Sequence, residues 1–257
     1  MTVEINSAVS SNVESVSMDF NQQLWFGVDS SVPANTILQN NLSLFEWVIR
    51  NKIFPSFWGR YLTGSDGLTK DEIAFLRKNG CRTVALYKED EEKLTEEQGR
   101  IHAKKIADIA RLLEIPSGVS VFLETNDGEL VTTEYMKGYI DGLFEQGFTP
   151  GFKSNTDAHF CFDRDFSRGV QIAPTSFKYS LVWATAPSVP EYNKITTTHL
   201  IRPEVWAPFA PSGIKRNDIA FWQYGKNCHP IDTEEGNEIS FNIHLLKRED
   251  VLFNRTF

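Results

Sequence analysis

The sequence predicts an α/β protein built as a single (β/α)8 TIM-like barrel, irregular in its second half. Short β-rich runs alternate with helical patterns from about Leu24 onward, the signature of parallel strands joined by helices. The strand count approaches eight, for which a closed barrel is the economical solution, and a flavodoxin-like open sheet is the topological rival. The length of 257 residues suits one barrel, with no internal repeat and no Pro/Gly/Ser linker to separate two cores. The reading divides the chain into a loose polar arm over 1–23 and one barrel domain over 24–257.

The elements follow in order. Leu24 to Asp29 opens the series, a helical stretch covers about Thr36 to Asn51, and the second β-rich run is Pro55 to Tyr61. Thr69 with Glu72 spells a capping box for a helix that runs to Asn79, where Gly80 supplies a left-handed stop. Arg82 to Tyr87 is the third strand. Thr95 with Gln98 is a second box, and Ile101, Ile106, Ile109, Leu112 and Leu113 recur at near-helical spacing until Pro116. Val119 to Glu124 is the fourth strand, followed by a helix capped at Thr132 or Thr133 that places Tyr135, Met136, Tyr139, Leu143 and Phe144 on one side. Phe148 to Ser154, Tyr179 to Ala184 and Ile219 to Tyr224 read as further strands, with one more candidate near Thr198 to Ile201.

Composition removes several classes of function. Hydrophobic residues make up 41% and charged residues 23%, enough burial to offset chain entropy, so a disordered reading is excluded. Twenty-six Lys+Arg against 34 Asp+Glu leave a net charge of -8, which repels the phosphate backbone and anionic lipid, so no nucleic-acid partner is expected. Cys81, Cys161 and Cys228 follow no CxxC pattern and imply neither a disulfide framework nor a structural zinc. The opening MTVEINSAVSSNVESVSMDF has no basic start followed by an apolar run, and no run of about eighteen apolar residues occurs. The expectation is therefore no signal peptide and no membrane span, with a cytoplasmic location or release by another route. No GxSxG elbow, phosphate loop or GxGxxG follows a strand, and no cofactor is expected.

In a barrel the active site lies at the carboxyl ends of the strands. The polar residues collected there are Asp29, Arg60, Tyr61, Tyr87, Lys88, Glu124, Asn126, Asp127, Lys153, Asn155, Trp183, Trp222, Gln223 and Tyr224. Acids among aromatic walls are what glycosidic cleavage requires: one carboxylic acid, its pKa raised by apolar surroundings, protonates the leaving oxygen while another stabilises the oxocarbenium-like centre. Each acid has an ordinary alternative, Asp29 as a cap or loop anchor and Glu124 as the start of a turn.

Several runs then carry a resemblance. Phe26-Gly27-Val28-Asp29-Ser30-Ser31, Trp58-Gly59-Arg60-Tyr61-Leu62, Gln98-Gly99-Arg100-Ile101-His102-Ala103 leading to Ile115–Phe122, and Phe221-Trp222-Gln223-Tyr224 together resemble the glycoside-hydrolase-like domain of unknown function family 1906, which is related to the family 25 lysozymes. The resemblance spans about Leu24 to Leu246. It implies a (β/α) barrel with a groove at the strand ends and, in the lysozyme relatives, cleavage of the β-1,4 bond between N-acetylmuramic acid and N-acetylglucosamine. It makes Glu124 the proton donor and Asp29 the electrostatic partner or water-orienting base. Arg60, Tyr61, Tyr87, Lys153, Trp183, Trp222, Gln223 and Tyr224 become substrate-binding candidates, with a glycan or peptidoglycan fragment as the ligand. The chain departs from the lysozymes at Phe122, where the first acid of their Asp-x-Glu pair would stand, at Ser240, which replaces the Asp of the closing Val-Asp-Leu-Asn run, and at Arg60-Tyr61, which replaces an acidic segment. One lost stabilising contact of that kind is worth about 3 kcal/mol. A barrel that binds glycan or a protein without cleaving it is therefore the alternative, and a phosphodiester received by Arg60 and Lys153 is a third reading.

Other constellations have bland readings beside sharp ones. Asp157, His159, Cys161 and Asp163 alternate as an extended strand with a metal would use them, against an aromatic-packed loop. Cys228-His229 is a thiolate pair or incidental, His102 faces solvent or an interface, and Glu89 to Glu92 forms a solvated acidic loop.

Overall fold

The computed structural model describes residues 23–90, 92–189, 203, 205–228 and 239–257. Eight strands close into one barrel in sequence order. They are β1 (Trp25–Asp29), β2 (Phe57–Tyr61), β3 (Arg82–Lys88), β4 (Ser120–Glu124), β5 (Thr149–Ser154), β6 (Leu181–Ala184), β7 (Phe221–Cys228) and β8 (Phe241–Leu246). Strands β1 to β7 run parallel to their neighbours, whereas β8 is antiparallel to both β7 and β1. The final strand thus enters at the end where the others leave, and Asn242 near its start lies opposite Asp29. The strand candidate near Thr198 to Ile201 lies outside the described residues, as do positions 1–22 of the expected arm.

The helices are α1 (Leu44–Arg50), α2 (Lys70–Lys78), α3 (Glu96–Leu112), α4 (Thr133–Glu145), α5 (Cys161–Ile172), α6 (Pro174–Tyr179) and α7 (Glu249–Arg255). The first is shorter than expected because Ser43, not Thr36, caps it, in a reciprocal box with Glu46. The Thr95–Gln98 box forms in full. At Thr69 only half forms: its hydroxyl accepts from the Glu72 N–H, but the Glu72 carboxylate turns to Arg60 and to the N–H of Ala34, both 2.7 Å away. On α3 the buried stripe is Gly99, His102, Ala103, Ile106, Ala107 and Ala110, while Ile101 and Leu112 are exposed, as is Phe144 on α4. His102 is accordingly a buried residue, its Nδ1 2.8 Å from the Tyr135 hydroxyl, because α3 packs against α4 along that face.

Side chains alternate between the barrel interior and the surrounding helices. Phe57, Phe122, Trp183 and Phe221 meet at the centre, with Trp183 stacked on Phe221 at 4.5 Å and edge-to-face contacts joining the rest. Glycines make the room: a Cβ at Gly151 would lie 2.4 Å from the Phe122 ring, and one at Gly27 2.2 Å from Phe57. Phe122 is therefore part of an aromatic plug beneath the barrel mouth. No described helix is long and apolar enough to cross a membrane.

Candidate active site

Above the plug, the next inward-facing position of most strands is polar. These residues are Asp29 on β1, Tyr61 on β2, Glu124 on β4, Lys153 on β5, Gln223 on β7, and Asn242 and His244 on β8. Lys153 is buried and its ammonium lies 2.5 Å from Asp29 Oδ2 and 3.1 Å from Glu124 Oε2. One cation therefore ties the two predicted acids together. The Tyr61 hydroxyl donates to the same Oε2 of Glu124.

Asp29 is 1% exposed. Its Oδ1 accepts from the Asn242 side-chain amide at 2.7 Å, and its Oδ2 also faces Nε2 of His244 at 2.9 Å. The tautomer of His244 follows from its other neighbour: the Trp183 indole N–H can only donate, and it donates to His244 Nδ1 at 3.1 Å, so in the neutral ring Nε2 carries the proton. That N–H does not point squarely at the carboxylate, which makes the contact electrostatic more than a well-formed hydrogen bond.

The electrostatics are dominated by burial and by the one ammonium. Burial opposes the Asp29 charge, but Lys153, followed by His244, overrides it and holds the carboxyl far below the usual carboxylate range. Burial alone would discharge Lys153, yet Asp29 and Glu124 keep it protonated with a pKa raised above the ordinary lysine value. His244 is pushed down by burial despite Asp29, and the Tyr61 phenol is pushed up by burial.

Glu124 joins this network to solvent. It lines a cleft of about 410 Å3 with Asn126, Asp127, Asn155, Asp157, Gln223 and Asn242. A second cleft, of about 520 Å3, lies on the other side of Tyr61 and is lined by Asp66, Lys88, Glu89 and Lys105. Tyr61 touches that second cleft while donating to Glu124 of the first.

Of the remaining candidates, Arg60, Tyr87, Trp222 and Tyr224 have the opposite parity, with Tyr87 bordering the second cleft, while Trp183 faces inward below the cluster. Arg60 is fully buried outside the barrel, where its guanidinium binds Glu72 and the carbonyls of Ser30, Ser31 and Asp66. It braces loops and is not available to a ligand. Tyr87 also points outward and donates to Glu89. Trp222 and Tyr224 pack between barrel and helices, the Trp222 N–H donating to the Pro187 carbonyl, and Trp183 belongs to the central plug. None of these three forms a groove wall. The phosphodiester reading loses both its cations, since Arg60 and Lys153 are internally paired. Asn242 and His244, which the strand-end survey did not select, complete the cluster; the signal was the closing Ile239-Ser240-Phe241-Asn242 run, whose reversed direction brings Asn242 to the mouth.

The other constellations resolve into structure. Asp157 to Asp163 is not a strand: Asp157 caps the N–H of His159, helix α5 starts at Cys161, and Asp163 accepts from Ser212 N. Among the described residues no group of His, Cys, Asp and Glu is arranged to hold a metal ion. Cys228 is buried, its thiol pushed up to about 12, and His229 lies outside the described residues. In the acidic loop, Glu89 is engaged, against the cost of its partial burial, by the Tyr87 hydroxyl and Lys105, which bring its carboxyl down to about 2.

The fold is that of a (β/α)8-type barrel whose mouth carries a buried polar cluster, and solved structures share that fold. An uncharacterized protein of B. stearothermophilus superposes with a TM-score of 0.73 at 24% identity, over 91% of this chain and 100% of that one. The Clostridium perfringens spore cortex lytic enzyme SleM gives 0.54 at 14% identity, covering 88% and 68% of the two chains. The catalytic domain of endolysin ply40 from bacteriophage P40 of Listeria monocytogenes gives 0.54 at 12%, covering 90% and 96%. At these identities the likeness is one of fold. No family model matches the chain. No curated protein sequence matches it either.

Proposed function

We propose that this chain is a bacterial glycoside-hydrolase-like protein of the family 1906 kind, acting on cell-wall peptidoglycan or a related glycan. Glu124 is its proton donor and Asp29 the electrostatic partner. The observation that carries the reading is the position of Glu124, a strand-end carboxylate that opens onto a cleft while sharing one buried cation with a second carboxylate. Glu124 Oε2 is occupied by Lys153 and Tyr61, which leaves Oε1 to meet a glycosidic oxygen. After the proton is given up, the ammonium and phenol stabilise the carboxylate that remains, and Glu124 faces the positive charge developing on the sugar. Asp29, buried and saturated by its three partners, acts through Lys153 and does not itself touch the sugar.

The test is reducing-end release with mass spectrometry of the products from a panel of peptidoglycans and chitooligosaccharides. Glu124→Gln is expected to lower cleavage by at least about a hundredfold while leaving binding in place. A second reading, glycan binding without turnover, is favoured by the complete burial of Asp29 and by Phe122 filling the space of an acid. It predicts binding and no product from the unaltered protein.

A further inference from the structure

The cleft beside Glu124 contains a polar group that no described residue satisfies. Gln223 is 3% exposed and lines that cleft, yet its carboxamide meets no hydrogen-bond partner among the described residues. Its backbone is fixed opposite His244, and the register slips by one residue immediately afterwards, a bulge of the kind that re-aims side chains beside active sites. The carboxamide opens onto the cleft, where a ligand that supplies both an acceptor and a donor can pair with its N–H and its carbonyl. Sugar hydroxyls supply both. Asn155 is similarly half used: its carbonyl accepts from Asp157 N at 3.0 Å, and its amide N–H groups have no partner among the described residues.

The charges around this amide select further. Glu124, Asp127 and Asp157 line the cleft, and the cations near them are engaged: Lys153 by Asp29 and Glu124, Arg60 by Glu72 on the outer side of the strands, and Lys226 at the rim by contacts of its own. Among the described residues of the cleft, three carboxylates stand against one rim ammonium, Lys226, so a carboxylate or phosphate entering beside Glu124 meets a net negative field.

Resting on the glycan reading above, we propose that this cleft receives an uncharged sugar residue, held by Gln223, and discriminates against sugars that carry an acid at that position. The acidic rim sets the selectivity, and the carboxamide supplies the binding.

The experiment is calorimetric titration of the full chain, at low and at physiological ionic strength, with two probes of equal length: a β-1,4-linked N-acetylglucosamine tetramer and a tetra-uronate bearing one carboxylate per ring. The neutral tetramer is expected to bind at least about tenfold more tightly at low salt, with the gap narrowing as salt screens the rim. The gap should also narrow in Asp127→Asn/Asp157→Asn, whose substitutions lie at the cleft edge. Gln223→Leu should weaken the neutral tetramer by about tenfold, with Gln223→Asn as the check that a shortened amide of the same chemistry also loses affinity if the leucine variant does not fold. Equal affinity for the two probes at low salt, or unchanged binding by a folded Gln223→Leu protein, overturns the proposal and leaves the glycan reading standing. Failure of the unaltered protein to bind either probe removes the glycan reading and this inference with it.

Discussion

Two buried cations sit at strand ends of this barrel and have opposite destinations. Arg60 lies one residue from the end of β2 on the outer face, where its guanidinium binds Glu72 and three loop carbonyls. Lys153 lies on β5 on the inner face, where its ammonium bridges Asp29 and Glu124 at the mouth. In sequence both are basic residues closing a β-rich run. Their difference is strand parity: a residue one step from the inward register belongs to the scaffold, however chemically suggestive it is. The planar fork of Arg60 suits several fixed carbonyls at once, whereas the single ammonium of Lys153 suits a point shared by two acids.

The comparison can be broken most forcefully by removing either cation. Arg60→Met leaves Glu72 buried without its counter-charge and should cost about 3–5 kcal/mol in denaturant unfolding. Lys153→Met should destabilise by a similar amount, since it strands Asp29, but it should also alter glycan turnover or binding in whatever fraction remains folded. If Arg60→Met, measured on folded protein, changed glycan affinity as much as Lys153→Met does, the division between outer scaffold and inner site would be wrong.

Acid distinguishes the inner pair by another route. The folded-state pKa of Asp29 lies well below its unfolded value of 3.8, so its stabilising contribution is complete above that value and is lost as the pH falls towards the folded one. Denaturant midpoints should therefore decline below about pH 4, and Asp29→Asn, less stable at neutral pH, should show a smaller decline over the same interval. An identical decline in both proteins would place the acid-labile group elsewhere.

The smallest expected effect concerns the half-formed cap. Thr69→Ala should cost only about 1 kcal/mol, because the Glu72 carboxylate is held by Arg60 and Ala34 and not by the helix start. A loss several times larger would mean that the cap and the outer ion pair act as one unit.

The barrel was legible in the sequence where local chemistry and long-range packing agree. The Thr95–Gln98 box, the stop at Gly80 and the β-rich runs of the first five strands each announce themselves within a few residues. The last strand did not, since Phe241–Leu246 places Asn242 and His244 among apolar residues, and these belong to the polar cluster at the mouth. The start of α1 was overestimated because residues 36–43 carry helix-compatible types but fold as a turn before the Ser43 cap. The same limit governed the site. Asp29, Glu124, Lys153 and Gln223 can be collected as strand-end polar residues, but so can Arg60, Tyr87, Trp222 and Tyr224, and only the pairing of strands tells which half turns inward. Strict alternation counted back from Glu124, with Phe122 as the inward neighbour, was the usable signal on β4.

The reversed direction of β8 bears on how such a barrel can vary. Because β7 leaves from the mouth and β8 returns there, both ends of the connection between Cys228 and Phe241 lie at the mouth of the barrel. Between β1 and β6, a change in the length of a crossover must re-seat a helix against its neighbours. Here chain can be added or trimmed between two strand ends on the same rim at a modest entropic cost. This junction is accordingly the place where a new binding preference could be grafted onto the scaffold while every helix keeps its seat.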